Sequence, residues 1–174
     1  MLHKFLKGSA RVLIALMLLL AMLLVGMRIF GLQIYTVLSG SMEPAYRTGA
    51  LVYVRKVDPH ALEEGKVITF RLQNGTVATH RIVEVLDSTS AYGQNAYRTK
   101  GDANETPDAV LVSESQIIGS PLFTVPYLGY LATYIQHPPG VYWTIGVCLA
   151  ILLYVLAIDQ ITGDKTKKNQ KGET

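Results

Sequence analysis

The sequence predicts a small, mostly antiparallel β domain held at both ends by transmembrane helices. Two long uncharged apolar runs lie near the chain ends, and between them short runs of Val, Ile, Thr, Tyr and Phe alternate with Gly, Pro, Asp and Asn. No helical period of useful length appears in that middle stretch. Composition agrees: of 174 residues, 49% are hydrophobic and only 17% charged, with a mean hydropathy of +0.27, a combination outside the range of ordinary soluble domains. The length suits one domain of about 100 residues plus its spans.

The first apolar run, Val12 to Met27, covers about 16 residues or ~24 Å of helix, against a hydrocarbon core of ~30 Å. Continuing it through Phe30 makes the span adequate, with Arg28 reaching the headgroups from an apolar stem. Lys4, Lys7 and Arg11 precede it as a signal peptide's basic region would, but no small-x-small site followed by a polar spacer closes the run, which favours an uncleaved anchor. The second run, Val141 to Ile158, begins with the interfacial aromatics Tyr142 and Trp143 and ends at Asp159. Lys165, Lys167, Lys168 and Lys171 follow closely, so the positive-inside rule puts both chain ends in the cytoplasm.

The expected organisation is a basic cytoplasmic N-terminus over 1–11, a transmembrane helix over 12–31 and an extracytoplasmic domain over 32–139. A second transmembrane helix over 140–158 and a basic cytoplasmic tail over 159–174 complete it. Ile117 to Gln136 is a third uncharged stretch of spanning length, yet Gly119, Pro121, Pro126 and Gly129 break it, and basic sequence on both termini favours an even count of spans. It reads as a strand followed by an apolar surface helix that touches the membrane surface without crossing it.

Within the middle, Ala50 to Val57 and Val67 to Leu72 read as strands, Gln73 to Gly75 as a hairpin turn, and Thr76 to Leu86 as the returning partner. YRTKG, SQIIG and FTVPY suggest further strands, with loops at Asp58 to Gly65, Asp87 to Asn95 and Asp102 to Ala109. The net charge of +3 resides at the chain ends while the middle is mildly acidic, which argues against a nucleic-acid partner. The one cysteine, Cys148, lies inside an apolar run with no second Cys or His at ligand spacing, so neither a thiol nucleophile nor a metal site is expected.

The residues able to carry chemistry lie in three places. SGSMEP, Ser39 to Pro44, follows an apolar approach strand, turns through Gly40 and presents a hydroxyl. It is no nucleophile elbow, because no G-x-S-x-G surrounds either serine. His80 sits in a strand, where alternation gives it the same apolar face as Ala78 and Ile82. A reference imidazole pKa near ~6.5 suits a general base at neutral pH, although a half-buried core histidine fits that pattern too. Asp102 and Asp108 lie in a loop of turn formers, and either carboxylate could hold an imidazole in one tautomer. His3, His60 and His137 are terminal, loop and membrane-interface residues with no assigned chemistry.

Taken in order, TVLSGSMEPAYRTGALVYV, DPHALEEGKVITF, THRIVEV and RTKGDANETPDA resemble the sequence boxes of type I signal peptidases, in the endoplasmic-reticulum-type branch found also in archaea and some Gram-positive bacteria. The likeness covers roughly Leu32 to Leu131. It implies a small antiparallel β peptidase domain of the signal peptidase and LexA-like kind, acting as a serine endopeptidase that removes signal peptides from exported preproteins. By that resemblance Ser41 is the nucleophile and His80 the general base, where the other, typically bacterial branch carries Lys. Ser39 joins the Ser41 N–H in an oxyanion hole, and Asp108 is the third member, with Asp102 supporting the loop or sharing that role.

No metal or cofactor is implied. The implied partners are signal peptides, membrane lipid and the protein-export translocon, with Met42 and part of Ile117 to Gln136 forming an apolar rim at the bilayer surface. Two other readings compete: a processing peptidase dedicated to a few secreted substrates, and a non-catalytic membrane-anchored β domain.

Overall fold

A computed structural model describes residues 2–86 and 95–170. The chain divides into two units, one built from residues 26–133 and one from the two chain ends. The expected loop over Asp87 to Asn95 lies, apart from Asn95, outside the described residues.

The chain-end unit contains α1 (Leu2–Leu24) and α3 (Gly140–Gln170), with the last turn of α2 (Leu128–Gln136) between them. Phe5–Leu24 and Gly140–Ile158 are both long and apolar enough to cross a membrane, and few of their residues are buried, as suits lipid-facing surfaces. Ser9 and Tyr154 join the two helices through a hydroxyl–hydroxyl hydrogen bond of 2.9 Å, a polar link between otherwise apolar faces. The first helix stops at Leu24 and does not run on through Phe30 as the sequence suggested. Gly26 to Phe30 instead forms a 3₁₀ turn, closed by Gly31 at φ 77°. That leaves Arg28 in the turn after the helix, and the 20 helical residues Phe5–Leu24, ~30 Å, are long enough to span.

The other unit is the expected β domain. Its strands are β1 (Leu32–Thr36), β2 (Leu51–Arg55), β3 (Val67–Arg71), β4 (Val77–Leu86), β5 (Ala96–Lys100), β6 (Val112–Ser113) and β7 (Ile117–Val125). They pair antiparallel throughout, in the order β1-β2-β7-β3-β4-β5-β6. The Gln73 to Gly75 hairpin forms as read: Thr76 donates to Asn74 Oδ1 at 3.0 Å, and Gly75 takes φ 84°, which an L side chain resists.

SQIIG and FTVPY, expected as separate strands, are one strand. β7 pairs with β3 through Ile117 and Gly119, then with β2 from Ser120 to Val125, shifting register on both sides. Pro121 is tolerated because the β2 pairing shifts beside it, between Tyr53 and Val54. Gly119 is needed at the same junction, where a Cβ would come within 2.1 Å of the Arg55 carbonyl oxygen.

β2 is flanked by strands on both sides, and Leu51, Val52, Tyr53 and Val54 are all buried, so its continuous apolar run is explained. Tyr53 stacks on Phe123 with ring centroids 4.4 Å apart. A second cluster of Ile68, Phe70, Ile82, Tyr97 and Val112 fills the β3–β6 side. After β7 the chain turns at Tyr127 into α2, of which Gly129 and Ala132 are buried while Tyr130 and Leu131 face outward. The stretch Ile117 to Gln136 is therefore a strand and a surface helix, as expected.

Candidate active site

Ser41 enters its position from β1. Pairing with β2 extends through Val37, whose N–H donates to the Ala50 carbonyl at 2.9 Å, and the chain then turns, with the Glu43 N–H bonded to the Gly40 carbonyl at 3.0 Å. The Ser41 carbonyl accepts the Ala103 N–H at 2.9 Å, which fastens the serine turn to the acidic loop. Gly101 is required there: a Cβ would lie 2.6 Å from that same carbonyl oxygen.

His80 comes from the middle of β4, opposite Ile68. The edge of its ring meets Phe70, with centroids 6.1 Å apart, and 14% of its side chain is exposed, so the imidazole stands in an apolar wall with one side open. Its Nε2 lies 3.3 Å from Ser41 Oγ, and its Nδ1 lies 2.6 Å from Asp108 Oδ2. A carboxylate partner requires Nδ1 to carry the proton and donate it, which leaves the Nε2 lone pair facing the serine hydroxyl. Ser39 Oγ lies 3.3 Å from Ser41 Oγ. Among the described residues the Ser41 N–H donates to no group of the chain.

Four of the five site residues read from the sequence thus converge: Ser39, Ser41, His80 and Asp108. Asp102 does not reach the imidazole. It receives Arg81 in a two-pronged pair, Nε to Oδ1 at 2.9 Å and Nη2 to Oδ2 at 2.7 Å, while Arg81 Nη1 donates to the Gly65 carbonyl at 2.8 Å. The hydrogen bond to Asp102 is the main reason the Arg81 guanidinium is held above its ordinary pKa. Tyr46 lies close by, and burial raises its phenol above the usual value, with Arg81 lowering it and Asp102 raising it further.

Sequence reading missed two supporting residues and misplaced a third. Thr99 is fully buried and donates to Asp108 Oδ2 at 2.7 Å; the available signal was its inward position, two residues after buried Tyr97 in β5. Arg81 gave only the signal of a cation beside the histidine. Met42, expected on an exposed apolar rim, is 2% exposed, and its Sδ accepts the Asp102 N–H at 3.4 Å. It faces inward because the turn after Ser41 folds back onto the acidic loop; the exposed apolar side chain beside the serines is Leu38. Among the described residues no cluster of His, Cys, Asp and Glu is arranged to hold a metal ion.

Comparison with known proteins adds a second line. The family described as signal peptidase, peptidase S26, matches residues 10–94, a stretch that includes Ser39, Ser41 and His80 and stops before both aspartates. The signal peptidase complex catalytic subunit sec11 of Aspergillus clavatus is 31% identical over 141 residues, covering 68% of this chain and 71% of that protein. The chain belongs to the S26 signal peptidase family. Signal peptidase I W of Bacillus subtilis is 41% identical over 83 residues, 47% of this chain and 42% of that protein. The human signal peptidase complex catalytic subunit SEC11C is 29% identical over 114 residues, 61% of this chain and 58% of that protein. The chain spans about half the length of these last two relatives. An S26 assignment agrees with the β domain and with the apolar helices at the two ends.

Proposed function

We propose that this chain is a membrane-anchored serine endopeptidase that removes N-terminal signal peptides from exported preproteins. One observation carries the reading: in an S26 family member, Ser41, His80 and Asp108 form a continuous hydrogen-bonded series at 3.3 and 2.6 Å. His80 Nε2 takes the proton from Ser41 Oγ as that oxygen attacks the scissile carbonyl. Asp108 fixes the tautomer and stabilises the imidazolium. The oxyanion develops against the Ser41 N–H and the Ser39 hydroxyl, two donors already in place before reaction. His80 returns its proton to the leaving amine, the mature protein departs, and water activated by the same imidazole hydrolyses the acyl ester. Asp102 serves through Arg81, holding the loop that carries Asp108.

The substrate is the extended C-terminal part of a signal peptide. Anchoring by the two apolar helices raises its effective concentration, because the signal peptide's own apolar segment shares the bilayer. The positive-inside rule applied to the basic termini supports a topology with both chain ends in the cytoplasm and the β domain outside.

The test is cleavage of a standard preprotein by membranes holding the full chain, Ser41→Ala or His80→Ala, read as release of mature product. The proposal expects product from the full chain and loss in both variants. Undiminished cleavage by Ser41→Ala would remove the catalytic assignment, and no cleavage by the full chain against several preproteins would remove the general substrate class.

A further inference from the structure

We propose that the cleft beside the far end of β2 binds the phosphate head group of an anionic phospholipid. The cleft has a volume of about 480 Å³, within the ~300–1,000 Å³ typical of small-molecule sites, and lies between β2, the Asp58 to Gly65 loop and the middle of β7. Arg55, Lys56 and Lys66 line it, all three exposed. Its single acid, Asp58, is partly engaged: Oδ1 accepts the His60 N–H at 3.1 Å as the cap of a 3₁₀ turn. Glu63 and Glu64 belong to the same loop but not to the lining.

Among the described residues Arg81 and Arg98 are paired with Asp102 and Glu84, while Arg55, Lys56 and Lys66 make no ion pair; what distinguishes these three from other unpaired cations of the domain, such as Arg71, is that they line one cleft. Three unpaired cations around one concavity, in a middle stretch that is acidic overall, ask for an anion. The rest of the lining selects which kind. Leu62 is half-buried and Leu122 is 51% exposed at the cleft, so an apolar surface stands directly beside the cations. Inorganic phosphate has nothing to place against Leu122; the glycerol and first acyl carbons of a phospholipid do.

Arg55, on one wall of the cleft, pairs with Leu32, the first residue of β1. Anionic lipid at this site would hold the β domain by its own cations, independently of the two helices.

The full chain in neutral detergent, titrated with dioctanoyl phosphatidylglycerol, dioctanoyl phosphatidylcholine or inorganic phosphate and followed by calorimetry, tests this. Phosphatidylglycerol should bind more tightly than either comparison. The basic termini also attract anionic lipid, so the variants decide. Arg55→Gln, Lys56→Gln and Lys66→Gln should each weaken phosphatidylglycerol binding about fivefold, and the triple variant about a hundredfold. Arg71→Gln, an exposed cation outside the lining, should leave it unchanged. If the triple variant fails to fold, the single lysine variants carry the test. Equal binding by Lys56→Gln, Lys66→Gln and the unaltered chain overturns the proposal, as does an equal loss in Arg71→Gln. Binding of inorganic phosphate as tight as that of the lipid makes this a free-anion site and overturns the lipid assignment.

Discussion

Thr99 and Asp108 are joined twice: the Thr99 hydroxyl donates to Asp108 Oδ2 at 2.7 Å, and the Asp108 N–H donates to the Thr99 carbonyl at 2.8 Å. The oxygen that receives Thr99 is the one that receives His80, so a fully buried strand residue fixes the position of the imidazole's partner. Thr99→Val keeps the shape and removes one donor to a charged carboxylate whose side chain is 25% exposed, which costs about 1.5–3 kcal/mol. The expected result is a kcat lowered about 10–100-fold with KM little changed, and rescue by Thr99→Ser. A proportional loss of kcat and of folded protein in both variants would make Thr99 structural only.

Much of this arrangement was legible in the sequence, because it depends on local rules. The QNG turn, the alternation that gives His80 an inward face and the apolar run of β2 are each decided within a few residues. What escaped depends on where loops land. Arg81 follows His80 on the strand and points elsewhere, and only the return of the 102–109 loop supplies Asp102 as its partner. Met42 looks like a surface anchor until that same loop covers it. Pro121 divides two apparent strands in the sequence, yet the β2 pairing shifts beside it and the strand continues.

The two aspartates should separate by what they damage. Asp108→Asn should lower kcat by about 10⁴-fold with little loss of stability, since the imidazole would adopt the wrong tautomer. Asp102→Asn leaves Arg81, whose side chain is 38% exposed, without its charged partner. That should cost about 1 kcal/mol, a shift of about 4–8 °C in Tm, and a smaller loss of activity that follows the loosened loop. Thermal unfolding and preprotein cleavage on the same samples check both. Equal catalytic loss with equal Tm would assign the aspartates one shared role.

Alkaline pH should unfold the β domain through its tyrosines. Burial raises the phenols of both Tyr46 and Tyr53 above their ordinary value of about 10. Below that value both folded and unfolded states hold the proton and stability is unaffected. Above it the unfolded chain releases its protons first, so the folded state binds more protons and stability falls as pH rises. Tm measured from about pH 8 to 11 should decline on the alkaline side, and Tyr46→Phe should decline less. An identical alkaline slope in Tyr46→Phe would mean that Tyr46 ionises as readily in the fold as out of it.

Ser39 tests the oxyanion assignment apart from the nucleophile. Its hydroxyl lies 3.3 Å from Ser41 Oγ, on the next alternate residue of the approach segment, and the neighbouring Ser41 N–H has no acceptor in the chain among the described residues. If both act as oxyanion donors, as proposed, their contribution should appear when the carbonyl oxygen becomes negative. Ser39→Ala should therefore lower kcat by about 10²–10³-fold while KM holds, the pattern of an interaction made mainly in the transition state. Acylation of Ser41 by a reactive acyl probe that develops the same tetrahedral anion should slow by a similar factor. If instead KM rises and kcat stays level, Ser39 binds the ground-state substrate, and the Ser41 N–H must work with some other donor.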